Sequence, residues 1–138
     1  MAEAPAREDA VFAGRRATLE QLYRDFNARD IDAVLEHLAP DVDWANGMTG
    51  GRVHGRAAVR AYWQDQWKQV DPRVEPMRID PAADGSVHVL VDQIVRSLDR
   101  KILSNKQVMH VYEFDGAFIT RMTIVEIAQP TDDEDAES

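Results

Sequence analysis

From Thr18 the apolar positions fall at Leu19, Leu22, Tyr23 and Phe26, with Arg16, Glu20, Arg24 and Asp25 on the remaining faces. Recurrence at three and four residues predicts an amphipathic helix. The pattern breaks at "NARD", where Asp30 can cap a short second helix whose apolar side is Ala33, Val34 and Leu38, with Pro40 as its stop. "DVDWAN" then reads as a strand and "GMTGG" as a loop. His54 and Gly55 lead into a third helix over 56–70, where Val59, Tyr62, Trp63, Gln66 and Trp67 form one wide stripe. Asp71 and Pro72 end it.

Past Arg73 the period changes to two, in long β-prone runs separated by Asp84-Gly85, Asp99-Arg100 and Asp115-Gly116. Asp-Gly between alternating runs is a hairpin signal, because the tight turn needs a positive φ that glycine adopts without strain. The second half is therefore expected to be an antiparallel meander. Helices first and strands afterwards predict an α+β domain with its helices on one face of the sheet. In the run from Ser86 to Leu98 the odd positions are Val87, Val89, Val91, Gln93 and Val95, and the even ones His88, Leu90, Asp92, Ile94 and Arg96. From alternation alone the odd face is core and the even face is solvated.

Composition narrows the picture. A chain of 138 residues, 44% of them hydrophobic, suits one domain with one core. The expected division is a flexible segment over 1–14, a single domain over 15–129 and a disordered acidic tail over 130–138, where "TDDEDAES" has nothing to bury. A net charge of -9 argues against a nucleic-acid partner, which needs a basic face. The absence of cysteine removes disulfides, thiolate metal sites and cysteine nucleophiles. With no basic start followed by an apolar run, and no stretch near the ~20 apolar residues of a membrane span, the expectation is a cytoplasmic protein without membrane contact.

The order "LEQLYRDFNARDIDAVLEHLAPDVDWANG", then "VHGRAAVRAYW", then a hairpin meander closing in "HVYEFDGAFITRM", resembles the nuclear transport factor 2-like superfamily, particularly its SnoaL-like members, over roughly residues 15 to 128. The resemblance implies a cone-shaped, curved antiparallel sheet wrapped around the helices. It also implies a cavity between helices and sheet, and a homodimer formed through the opposite sheet face. It further implies that the even face of the Ser86–Leu98 run lines the cavity, with Asp92 and Arg96 inward and the valine face turned to the partner. That inverts the assignment made from alternation.

Two enzymes of this superfamily supply templates. Matched to the ketosteroid isomerases, the chain has Asn46 where the carboxylate base belongs and Leu22 at one donor position. Tyr23 is one residue away, about 100° round the helix. The second donor position falls on His110. Matched to limonene-epoxide-hydrolase-like enzymes, Trp44-Ala45-Asn46 keeps the asparagine without its tyrosine partner, Leu90-Val91-Asp92 lacks the arginine, and Thr123 stands where the last aspartate should be. Neither charge network is complete.

What remains is Asp92 and His110, on strands that the Asp99-Arg100 turn makes neighbours, with Tyr112 two positions from His110. A carboxylate beside an imidazole orients it and raises its pKa, making a useful acid or base near neutrality. Asp92 and His110 are therefore the candidate catalytic pair, with a buried structural network as the competing reading. Arg96 and Arg121 are candidates for a substrate carboxylate or enolate, and Asn46 for orienting the substrate. Trp44, Tyr62, Trp63 and Trp67 read as core or pocket wall, with Tyr112 and Phe114 on the wall opposite.

His37, His54, His88 and His110 show no metal-binding spacing; a set of His88, Asp92 and His110 would need all three inward. No metal and no organic cofactor is expected. The resulting expectation is a small-molecule pocket, with proton-transfer chemistry of the isomerase, cyclase or hydratase type on a small, partly apolar substrate. The alternative is a non-catalytic ligand-binding or protein-association module of the same fold.

Overall fold

The computed structural model describes residues 6–47 and 49–129. Along the chain run α1 (Ala6–Asn27), α2 (Ile31–Glu36), β1 (Leu38–Ala45), β2 (Arg52–His54), α3 (Arg56–Gln69), β3 (Val70–Pro81), β4 (Val87–Ser97), β5 (Ile102–Asp115) and β6 (Phe118–Glu126). The acidic tail lies outside the described residues. α1 begins well before the apolar stripe does, so residues 6–14, expected to be a flexible lead, are helical. Alanine, arginine and glutamate are good helix formers, and propensity extends the helix beyond the turns that burial requires.

Asp30 caps α2 as expected, its side chain accepting from the Ala33 N–H at 3.2 Å. Leu38, however, opens β1 rather than closing the helix. Pro40 lies inside β1, where the ladder to β6 is interrupted between Leu38 and Asp43. Proline has no N–H to give that ladder. β2, three residues long, escapes the alternation reading because so short a strand has no visible period.

The six strands form one sheet in the order β2-β1-β6-β5-β4-β3. β3 to β6 make the expected antiparallel meander, and β1 joins it parallel to β6. The turns behave as their chemistry requires. Gly85 and Gly116 take positive φ at 91° and 60°, and Arg100 takes 77° without being glycine.

Register decides which face does what. In an antiparallel pair, directly opposed residues share a face. Val87 opposes Tyr112, Val89 opposes His110 and Val91 opposes Val108. All six are buried together with Leu19, Leu22 and Tyr23 of α1 and Val59 and Trp63 of α3. The odd face of β4 therefore meets the helices. His88, Leu90, Asp92, Ile94 and Arg96 are on the other side, partly exposed. Alternation assigned these faces correctly; the inversion implied by resemblance is overturned. Each fully buried valine contributes about 1.5–3 kcal/mol. A slip of one residue would expose all three valines and turn His88 and Asp92 inward instead.

Candidate functional site

A cavity of about 300 Å³ opens between the helices and the inner sheet face, at the lower end of the range for small-molecule pockets, about 300–1,000 Å³. α1 contributes Leu22, Tyr23 and Phe26, and α3 contributes Tyr62, Trp63 and Gln66. The strands add Trp44, Gln93, Lys106, His110, Tyr112 and Met122 among others. Trp63 meets Phe26 and Trp44 edge-on, both at 5.4 Å between ring centroids. Tyr62 stands at the rim, where its hydroxyl accepts from the Gly47 N–H at 2.9 Å. The chain passes close here: a Cβ at Gly47 would come within 3.3 Å of Ile124 Cδ1.

Three polar groups sit together against the sheet. The Tyr23 hydroxyl lies 2.8 Å from His110 Nδ1 and 2.8 Å from the Tyr112 hydroxyl. Tyr23, His110 and Tyr112 are 2%, 7% and 1% exposed. Desolvation lowers the His110 pKa to about 4, so the ring is neutral at pH 7. Burial also raises the pKa of Tyr23, with Tyr112 adding to it, and that of Tyr112, there partly offset by its hydrogen bond with Tyr23.

Two of the proton arrangements these contacts allow are directional chains through Tyr23. Three neutral groups carry three protons, and two of them fill the two hydrogen bonds. In one chain Tyr112 donates to Tyr23, Tyr23 donates to His110 Nδ1, and His110 Nε2–H is the donor left over. In the other His110 Nδ1–H donates to Tyr23, Tyr23 donates to Tyr112, and the Tyr112 O–H is left over while Nε2 accepts. In a third arrangement Tyr23 accepts from both neighbours and turns its own O–H away, which fills both hydrogen bonds but passes no proton between them. Nε2 has no partner among the described residues. In either directional chain the site offers one donor and one acceptor, and reversing the chain exchanges them.

Asp92 is not part of this group. It opposes Gln107 on one side and Glu75 on the other, on the outer face, while His110 opposes Val89 on the inner one. The expected Asp92–His110 pair is broken by the pleat, since neighbouring strands align but successive side chains alternate. The same alternation separates His88 and Asp92 from His110. Arg96 is on the outer face opposite Asp71, and Arg121 is held outside by Asp43 at 2.8 Å and Glu113 at 3.7 Å. Asp43 also takes a hydrogen bond from Arg52, which lowers its pKa, with the Arg121 charge adding to the effect.

Of the other expected residues, Trp44, Tyr62, Trp63 and Tyr112 line the cavity. Trp67 forms a second layer, stacked on Trp63 at 6.3 Å and covered by the Arg29 guanidinium at 4.9 Å. Phe114 lies under the Arg15 guanidinium at 4.9 Å, outside the cavity wall. Asn46 closes its own loop, accepting from the Thr49 N–H at 3.0 Å, and lines a more polar depression beside the main cavity. Tyr23 is the central polar residue that the sequence templates pass over. The signal is present: Leu22 and Tyr23 both belong to the apolar stripe of α1, and a stripe more than 100° wide presents both to the core.

With this geometry in hand, comparison with known proteins gives consistent results. The model of the SnoaL-like domain family matches residues 19–122. A search of curated proteins finds no match. Among solved structures, an NTF2-like protein of unknown function from Burkholderia pseudomallei is 24% identical, with a TM-score of 0.71 over 80% of this chain and 88% of its own. TerC, co-crystallised with polyporic acid, is 23% identical, with a TM-score of 0.72 over 83% and 92%. SalBIII, an epoxide hydrolase/cyclase-like enzyme in pyran ring formation in salinomycin, is 21% identical, with a TM-score of 0.70 over 80% and 88%. At these identities the likeness is one of fold: the cone of NTF2-like proteins.

Proposed function

The chain belongs to the SnoaL-like domain family, and from that premise we propose that it holds a small, ring-containing, partly apolar molecule in its cavity and moves a proton on it, as an isomerase- or cyclase-type enzyme. The observation that carries this reading is the buried Tyr23 hydroxyl bridging His110 Nδ1 and the Tyr112 hydroxyl. A ligand that gives a proton to His110 Nε2 while an enolising or phenolic oxygen takes one from Tyr112 reverses the chain and leaves its proton count unchanged. That is the bookkeeping of a tautomerisation. The hydrogen bonds act in a dry site, where they stabilise developing charge more than they would in water. TerC's polyporic acid and SalBIII's ring-forming chemistry lend support by analogy of fold alone.

A second reading, binding without catalysis, is favoured by one observation: no carboxylate lines the cavity among the described residues. Among the described lining residues the proton acceptor left is then His110 Nε2, and burial weakens it.

Proton exchange separates the two. Incubated with cyclic ketones and enones in D₂O, the wild-type protein is expected to exchange their α-protons faster than buffer, as followed by NMR. Tyr23→Phe should cut that rate about 100-fold, the scale of positioned acid–base groups, while the domain stays folded. Asp92→Asn should change nothing, because it faces the other way. Ketones that bind without exchange would leave the binding module as the function.

The same proposal extends to assembly. The outer sheet face carries Leu90, Ile94, Met109 and Val111, partly buried, beside Met77 and Val125 at 54% and 42% exposure. This face, not the valine face, is the homodimer contact. Light scattering after gel filtration should give twice the chain mass for the wild type and a monomer for Val111→Lys. A wild-type monomer at micromolar concentration removes the dimer.

A further inference from the structure

Among the described residues, Lys106 is the one charged side chain that lines the main cavity at neutral pH; every other lining residue is apolar, aromatic or an uncharged polar group. Lys106 also lines the polar depression that opens beside it, and Ala45, Gly47, Gln93 and Ile124 are shared by the two hollows. Its ammonium is directed to Glu126, which lines the polar depression and not the main cavity. His110 stands four residues along the same strand and on the same face. At the rise of an antiparallel strand their Cα atoms are about 14 Å apart.

The geometry points to Lys106 as the anchor for an anionic group, a carboxylate or an acidic enol, on the molecule the cavity holds. The inference rests on the small-molecule reading above and sharpens it. The ligand is an elongated, apolar-bodied monoanion, with a neutral oxygen at the Tyr23–His110–Tyr112 end and its charge at the mouth.

The present partner of Lys106 is replaceable. Glu126 reaches it with both carboxylate oxygens at 3.4 Å, with side chains 38% and 69% exposed. A pair so exposed is worth at most about 1 kcal/mol. Glu126 therefore serves as a resident carboxylate that a ligand carboxylate displaces, and its removal strengthens binding. Gln93, directly across the strand pair from Lys106, supplies a neutral neighbour.

The test uses a rod-shaped probe, a hydroxybiphenyl carboxylic acid with its two polar groups at opposite ends, and its methyl ester. Binding is read from the fluorescence of the cavity tryptophans, Trp44 and Trp63. The wild type is expected to bind the acid about tenfold more tightly than the ester. Lys106→Gln should bring the acid down to the ester's level and leave the ester unchanged. Glu126→Gln should tighten the acid about threefold, and added salt should weaken the acid alone. Equal binding of acid and ester by the wild type, or equal loss of both in Lys106→Gln, overturns the anchor while leaving the pocket standing. Failure of both probes to bind counts against the anchor and the small-molecule reading together.

Discussion

Replacing Trp63 with alanine is expected to cost about 3–5 kcal/mol of stability, the scale of a large aromatic removed from a core that cannot collapse around the gap. Trp63 is 2% exposed and touches three other aromatic rings, Phe26, Trp44 and Trp67. It is also where the wall of the cavity and the core of the domain become the same side chain. Because α3 joins the sheet through this cluster, its loss should loosen the helix and enlarge the cavity together. Urea titration measures the first, and loss of ligand-dependent fluorescence change from Trp44 measures the second. Trp67→Ala provides the contrast. Trp67 is only partly buried, and its ring is shared with Arg29 at the surface, so its cost should be about half as large. A Trp63→Ala cost below about 1 kcal/mol would mean that the ring lines the cavity without holding the fold.

That the aromatic stripe of α3 is legible in the sequence while the polar site is not has a physical explanation. A stripe at i, i+3, i+4, i+7 and i+8 is generated by the helix itself, so Val59, Tyr62, Trp63 and Gln66 point one way whatever surrounds them. Alternation on β4 is equally local, and it puts Val87, Val89 and Val91 in the core. Resemblance reverses the faces, because a family pattern carries residue order without register. A shift of one position exchanges the two sides completely. The ladders hold such shifts, between Pro76 and Arg78 and between Val95 and Arg96, and nothing in the residue pattern marks them.

Tyr23 and Lys106 fail to stand out for different reasons. A template position measures Tyr23 by its offset from that position, whereas its place in the site follows from the width of its own helix's buried arc. Lys106 shares the period-two phase of His110 and Tyr112, but a lysine near the end of a strand reads as surface. Its role is visible only once two hollows are seen to meet at it. Arg121 and Asp43, 78 residues apart, pair across the parallel contact of β1 with β6, which no local periodicity encodes.

The buried imidazole should also give the domain an acid-sensitive stability that belongs to one residue. Burial lowers the His110 pKa from an imidazole's ordinary 6.5 to about 4. Between these values the unfolded chain binds a proton at this position that the folded chain does not. Stability therefore rises with pH across that window. The contribution is fully present above about pH 6.5, is lost progressively as pH falls and is gone below about pH 4. Its size is on the order of 3 kcal/mol, since each tenfold change in proton affinity is worth about 1.4 kcal/mol.

The groups in contact with the ring are Tyr23 from α1 and Tyr112 on its own strand, and neither ionises in this range. No carboxylate faces the ring among the described residues, so nothing nearby supplies a compensating charge. Urea midpoints measured from pH 7 to pH 4 should fall for the wild type and hold more nearly level for His110→Gln, which keeps a hydrogen-bonding group without a titratable nitrogen. Exposed carboxylates contribute to both proteins alike and cancel in the difference. If the two slopes coincide, His110 exchanges protons as freely when folded as when unfolded. The dry floor on which the proton chain depends would then be wet.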